Sequence, residues 1–341
     1  MRALVLTRHG APDVLRIEDR PEPKASAGEV VIRVHAAGVN FADLQARLGL
    51  YPDAPKPPCV VGYEVAGIVD SVGPGGDTKL VGTRVMAPTR FGGYAELALA
   101  KARDLIPLPE TMSYAEGAAI PVVAGTAYEA VVKQGSIEEG EICVIHGAAG
   151  GVGLAAVQIA KARGAKVVGT ASPGKHAALR EHGVDLPLDG QDPDLARKIR
   201  DFSKGHGVDV VLDSRAGAGF RESYALLRAG GRLIVYGASS VSTGNTRDLF
   251  AAAKMWVTTP SYGALPLMQE SKSVCGVNLL KLWDDQGHLE RVAKPITKLM
   301  ADGVVKPVVG KTFPLEEGSA AHQYIHDRKN IGKVVLVVRG D

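Results

Sequence analysis

The chain has 341 residues, 45% of them hydrophobic and 23% charged, with 41 glycines and a formal net charge of +3. Such a composition suits a soluble globular protein with a full core and points to two domains more readily than one. The 40 basic residues are spread along the chain without a block that would track a phosphate backbone, and 5% aromatic content leaves little for base stacking, so nucleic-acid binding is not expected.

Cys59, Cys143 and Cys275 lie far apart and form no C-x-x-C pair. That argues against a disulfide framework or a cysteine zinc site and fits a reducing compartment. The run Met1-Arg-Ala-Leu-Val-Leu-Thr-Arg8 reads as a strand rather than a signal peptide. No apolar stretch reaches the roughly 18–20 residues that span a bilayer. The expectation is a cytoplasmic chain with no integral membrane segment.

Up to residue 110 the pattern is one of short strands with Gly and Pro punctuation: Val30–His35, a Gly-interrupted run from Val60 to Val72, Arg84–Ala87 and Tyr94–Leu99. This predicts a barrel-like β lobe. Within it, Phe41, Leu44 and Leu48 share one face of a helix over 40–50. Ser113-Tyr-Ala-Glu116 has capping-box form, and from there strands and helices alternate. Strands are predicted at 142–146, 166–170, 208–212 and 231–236, and helices at 152–163, 174–182, 193–203 and 218–228. Short apolar strands, each followed by a helix, predict a parallel sheet covered on both faces, a doubly wound α/β domain. Beyond residue 285 the spacing predicts a helix over 289–302, a strand over Val304–Val309, a helix over 316–327 and a closing strand Lys333–Val338. The closing segment is expected to pair back into the first lobe, which makes the α/β domain an insertion in a β-rich one.

His146-Gly-Ala-Ala-Gly-Gly-Val-Gly153 follows an apolar strand and opens a helix, the setting of a dinucleotide fingerprint. Aligned to G-x-G-x-x-G it reads Ala148-Ala149-Gly150-Gly151-Val152-Gly153, with Ala in place of the first Gly. The glycines allow the backbone to approach a pyrophosphate and the helix to pack on the strand. The helix start offers unpaired N–H groups and the positive end of its dipole. A tight turn without a ligand is the competing reading. NAD sites carry an acid ~20 residues further on, for the ribose 2′-hydroxyl. Here strand Lys166–Thr170 is followed by Ala171-Ser172-Pro-Gly-Lys175. A hydroxyl and a cation in that place favour a 2′-phosphate, and so NADPH over NADH; the plain reading of Lys175 is an exposed lysine at a helix start.

With these motifs the sequence resembles the zinc-free quinone oxidoreductase branch of the medium-chain dehydrogenase/reductase superfamily, over essentially the whole chain. The resemblance includes Gly38-Val-Asn-Phe-Ala-Asp43, Leu50-Tyr-Pro52, Gly62-Tyr-Glu-Val-Ala-Gly67, Gly92-Gly-Tyr-Ala-Glu96, Ala124-Gly-Thr-Ala-Tyr128 and Asn330-Ile-Gly-Lys333. Ser273-Val-Cys-Gly-Val-Asn278 is most similar to the vesicle amine transport protein homologue subgroup. The resemblance implies a GroES-like lobe made of residues 1–115 and 305–341 around a Rossmann domain of residues 116–304. It implies NADPH in the cleft between them and a homodimer formed by pairing of the two Rossmann edge strands; an unpaired strand near 273–278 suits that. It places Thr126 against the nicotinamide and Asn330 on the cofactor. A Tyr that family members use at the 2′-phosphate is replaced here by Gly190. Gly237 and Ala238, which follow strand Leu233–Tyr236, belong beside the cofactor at the carboxyl end of the sheet.

Relatives that oxidise alcohols hold zinc with Cys, His and Cys or an acid. Here Asn40 stands at the first ligand position, Gly62-Tyr63-Glu64 replaces Gly-His-Glu, and Val85 to Gly92 lacks a cysteine lobe, so no metal is expected. What remains is hydride delivery to an acceptor that is already electrophilic, a quinone or an α,β-unsaturated carbonyl. The protein then supplies orientation and hydrogen bonds to the developing oxyanion. By resemblance Asn40, Asp43 and Tyr51 are the polar residues of the cleft, with Asn40 and Tyr51 as donors to the substrate oxygen and Asp43 as an orienting group. Tyr63 replaces the zinc-site histidine and contacts the cleft. A helix cap, a turn and a packed strand residue are the plain readings of Asn40, Tyr51-Pro52 and Tyr63, as a turn residue is of Asn330. The leading function is an NADPH-dependent quinone oxidoreductase. The alternatives are an enone or enoyl reductase, and an NADPH-binding protein with a transport or membrane-associated role, for which Phe250–Trp256 is the best surface helix.

Overall fold

The computed structural model describes residues 1–241, 248–285 and 288–340. Among them, six parallel strands form one sheet in the order Leu186–Leu188, Lys166–Thr170, Ile142–His146, Val208–Asp213, Leu227–Val235 and Ser273–Gly276. Cys143, Val144, Ile145, Val210, Val211 and Leu212 are completely buried, as a sheet covered by helices on both faces requires. Strand order reverses between Ile142–His146 and Val208–Asp213, so a crevice opens at their carboxyl ends. Among the described residues Ser273–Gly276 pairs with Leu227–Val235 alone, which leaves its other edge open there.

The remaining strands build the β lobe. One sheet runs Val309–Pro314, Lys333–Val337, Glu29–Val39, Glu64–Val72, Arg84–Pro88 and Ile106–Pro107, with Leu97–Lys101 also on Glu29–Val39. A smaller one holds Leu15–Asp19, Arg2–Leu6 and Cys59–Val60. Lys333–Val337 pairs antiparallel with Glu29–Val39, so the chain end returns to the first lobe. The run from Val60 to Val72 is split at Gly62, whose φ of +106° turns the chain. A Cβ at Gly62 would lie 2.6 Å from Tyr94 Cδ1, so both conformation and space demand glycine there.

The predicted strand over Val304–Val309 is displaced. Val304 N and Val305 N bond back to the Leu299 carbonyl, closing the helix His288–Ala301. Pro307 offers no N–H for a ladder. The strand forms at Val309–Pro314 instead, parallel to Lys333–Val337.

The short helix Phe41–Leu48 buries charge as well as Leu44 and Leu48: Asp43 and Arg47 are wholly enclosed. Two histidines are buried likewise. His146 Nδ1 lies 3.2 Å from Thr170 Oγ1. Burial first, then the Arg215 charge, hold His146 down to about 4. Burial and the Arg47 charge hold His322 well below its ordinary value. Both are neutral in the folded protein and take up protons more readily in the unfolded chain. The unfolded state then binds more protons below pH 6.5, and stability falls on acidification. Lowering the pH from about 7.5 to about 5.5 costs about 1.4 kcal/mol through His146 alone. Thermal melts of His146→Gln should therefore show a smaller drop in Tm over that interval than the parent, and equal drops would refute this origin of acid lability.

Candidate functional site

The glycine turn sits at the sheet crevice. Gly150 caps the helix Gly151–Ala162 in extended conformation, and no side chain bonds its first turn. The first-turn N–H groups are left for a ligand. A Cβ on Gly150 would meet only the Gly147 carbonyl oxygen, at 3.4 Å. On Gly153 it would stand 2.5 Å from Gly147 O and 2.6 Å from Ala148 Cα. Gly153 is thus where the helix packs on its own turn, and Gly150 is the open side.

A distant segment crosses this turn. Gly332 N donates to Ala149 O at 2.8 Å, and Gly150 and Gly332 form a parallel bridge. Asn330 Nδ2 donates to Gly332 O at 3.0 Å. Lys175 Nζ donates to the carbonyls of Arg328 at 2.6 Å and Asn330 at 2.7 Å. Burial, then the Arg328 charge, lower the Lys175 pKa. Ala149, Gly150, Gly151, Val152, Lys175 and Asn330 therefore share one corner, with Ser172 exposed at the end of the neighbouring strand. Arg328, which the sequence reading did not single out, belongs to the same corner. Gly237 and Ala238 follow strand Leu227–Val235, where Gln45 Nε2 of the β lobe donates to Ala238 O at 3.1 Å. Thr126 donates its hydroxyl to the Val122 carbonyl of its own helix at 2.7 Å.

On the lobe side, Asn40 N donates to Asp43 Oδ2 at 2.8 Å and Gly62 N to Asp43 Oδ1 at 2.9 Å. Burial pushes the Asp43 carboxyl up to about 7, against the pull of these donors. Asn40 Nδ2 donates to Glu64 Oε1 at 2.9 Å and to the Gly38 carbonyl at 3.4 Å, while Asn40 Oδ1 accepts from Lys333 Nζ at 2.5 Å. Both amide hydrogens are engaged within the protein, which corrects the expectation that Asn40 donates to a substrate. Glu64 Oε1 lies 2.5 Å from Lys333 Nζ, and Glu64 Oε2 accepts from Val122 N at 2.8 Å. Sequence reasoning missed Lys333. Its signals were its place in the Asn330-Ile-Gly-Lys333 motif and at the head of an otherwise wholly apolar strand.

Beside this cluster stand three rings. Tyr51 and Tyr63 meet edge-on with centroids 6.0 Å apart, and Tyr63 and Phe91 are tilted at 5.0 Å. Tyr63 is 3% exposed, and its hydroxyl has no partner in hydrogen-bond geometry. Burial, then the Asp43 carboxylate and the Tyr51 hydroxyl, push the Tyr63 phenol far above its usual range. Burial, then Asp53 and Asp43, raise that of Tyr51. Both phenols keep their protons at neutral pH. Lys281 Nζ bonds Asp53 at 2.7 Å, tying the loop after Tyr51 to the helix Leu279–Asp284.

The donor set does not fit zinc. Among the described residues no group of three or more His, Cys, Asp or Glu is placed to hold a metal ion. Asn40 Oδ1 and Glu64 Oε1 already bond an ammonium, which takes their lone pairs and repels a dication.

Residues 26–110 match the alcohol dehydrogenase GroES-like domain family and residues 182–336 the zinc-binding dehydrogenase family. The human synaptic vesicle membrane protein VAT-1 homolog is 37% identical over 99% of this chain and 86% of its own length. Rat quinone oxidoreductase is 34% identical over 99% of this chain and 98% of its own. The chain belongs to the medium-chain dehydrogenase/reductase superfamily. Among solved structures of this superfamily, Escherichia coli quinone oxidoreductase complexed with NADPH superposes with a TM-score of 0.87 at 28% identity, over 99% of this chain and 100% of that one. The open Gly150, the free helix N–H groups and the Lys175 cation fit such a dinucleotide. No described helix of this oxidoreductase is long and apolar enough to cross a membrane.

Gly150→Ala should leave Tm almost unchanged, whereas Gly153→Ala should lose about 1–3 kcal/mol through backbone overlap. Equal stability losses in the two variants, read by denaturant melts, would contradict this division of labour.

Proposed function

We propose that this oxidoreductase reduces quinones with NADPH and without a metal, with residues 116–304 on the cofactor side and residues 1–115 and 305–341 on the substrate side. The observation that carries the reading is the Tyr51–Tyr63–Phe91 wall, which sets two phenols and a third ring side by side next to the buried Asp43. Flat conjugated acceptors pack on such rings, and a phenol donor is what a developing oxyanion needs. The N–H groups of Gly151 to Gly153 would hold the pyrophosphate of NADPH, and Lys175 and Ser172 its 2′-phosphate; when bound, the cofactor would supply the hydride. Tyr63 Oη donates a hydrogen bond to the reduced oxygen, and burial, then the Asp43 carboxyl behind it, keep the phenol protonated. Tyr51 lines the mouth with a second hydroxyl, and Phe91 excludes water. Asn40 acts at one remove, by holding Glu64 and the start of the Phe41–Leu48 helix.

The test is NADPH oxidation with a quinone panel beside an enone panel. Tyr63→Phe should lower kcat on quinones by about tenfold or more. Lys175→Ala should raise KM for NADPH by about tenfold, the worth of a charged hydrogen bond, with little change for NADH. Turnover on enones alone would replace the quinone by an enone. Tight NADPH binding with turnover on neither panel would defeat the reductase reading.

The reading includes a homodimer. Leu249, Phe250, Trp256, Val257, Leu265 and Met268 are all more than 60% exposed on the helices Leu249–Thr258 and Ala264–Glu270, next in sequence to the open edge strand. An apolar face continuous with an unpaired edge suits a second copy. The double substitution Phe250→Asp/Trp256→Asp should give a light-scattering mass near 35.7 kDa, against twice that for the parent. A parent of single-chain mass would refute the dimer.

A further inference from the structure

The segment that crosses the glycine turn also reaches the substrate side. Gly332 N bonds Ala149 O, and Gly332 bridges to Gly150. The stem of the next residue, Lys333, runs past Gly151, where a Cβ would stand 3.6 Å from Lys333 Cδ. Its ammonium then ends among Asn40 Oδ1 and Glu64 Oε1, almost entirely out of water. From there Asn40 N holds Asp43, Asp43 holds Gly62 N beside Tyr63, and Glu64 holds Val122 N in the helix of Thr126. One residue thus touches the dinucleotide turn with its stem and backbone neighbour, and the substrate lobe with its charge.

We propose that Lys333 is a positioning residue, one that makes the Asn40–Leu48 helix and Tyr63 respond to occupancy of the dinucleotide cradle. It contacts neither the substrate nor the reacting atoms, and the inference rests on the NADPH reading above. A pyrophosphate on the N–H groups of Gly151 to Gly153 fixes the turn and with it the Ala149 carbonyl. The Ala149–Gly332 bond fixes the start of the strand, and the Lys333 ammonium carries that constraint to Asn40 and Glu64. Coupling of this kind requires a contiguous element that both sites bias. The ion cluster is that element, because a buried charge tolerates few arrangements of its partners.

The experiment is amide hydrogen exchange on the full chain with and without NADPH, combined with NADPH titration calorimetry and quinone kinetics. In the parent, NADPH should protect residues 147–153 and also residues 40–48. In Lys333→Met the first protection should remain and the second should vanish. The Kd for NADPH should then move by less than about threefold, while kcat falls about tenfold or more. Lys333→Arg should restore both. If Lys333→Met does not fold, Lys333→Met/Glu64→Gln removes both charges together and carries the same expectation. Protection of 40–48 that persists without Lys333, or a parent in which NADPH protects the turn alone, overturns the proposal. So does a Kd for NADPH that weakens in step with kcat, the mark of a merely structural role. A parent with no protection at 147–153 overturns the cofactor reading, and this inference with it.

Discussion

A desolvated ammonium ties the cleft residues Asn40 and Glu64 to the strand whose start crosses the dinucleotide turn. Taking Lys333 and Glu64 out of water costs several kcal/mol per ion, which is offset only if every donor and acceptor is matched. The matching is close to complete. The ammonium meets Glu64 Oε1 and Asn40 Oδ1, and Glu64 Oε2 takes an N–H at the start of the helix Pro121–Tyr128. A carboxylate is also favoured there by the positive end of the helix dipole. Glu64 thereby links the ammonium on the lobe side to the backbone of the helix Pro121–Tyr128.

That arrangement shapes the chemistry on the open side. A fixed cation at Asn40 and Glu64 occupies oxygens that a metal would need, and in the proposed reaction polarisation of the acceptor falls to hydrogen bonds. The phenols beside Asp43 suit this work, since burial and the nearby carboxylate hold their protons in place. Their rings add an apolar wall, which strengthens each remaining electrostatic contact by excluding water. The same carboxylate anchors Asn40 N and Gly62 N, so one buried acid serves both the backbone and the donor.

Much of this was legible in the sequence, for local reasons. Apolar strands alternating with helices disclose a parallel sheet, and glycines at fixed offsets disclose a turn that a phosphate approaches. A cation after the second strand marks the corner where Lys175 lies. What the sequence does not carry is who meets whom. Lys333 at the head of an apolar strand looks the same whether it faces water or Glu64, and its partner Asn40 lies 293 positions away. The side-chain amide of Asn40 therefore reads as free when it is engaged. The carbonyls that hold Lys175 are 153 and 155 positions distant. The misplaced strand at 304–309 has a different cause. Apolar residues suit packing and pairing equally well, and Pro307 with the Leu299 carbonyl decides between them.

The antiparallel pairing of Lys333–Val337 with Glu29–Val39 has a consequence for biosynthesis. The first lobe emerges from the ribosome with Glu64 in place and without the lysine that pairs with it. The parallel sheet can form in the meantime from near-neighbour strands, whereas the lobe must wait for the last strand to arrive. Contacts so far apart in sequence slow folding and prolong exposure of partly built surfaces. A product truncated just before Lys333 would lack the charge that joins the dinucleotide turn to the cleft.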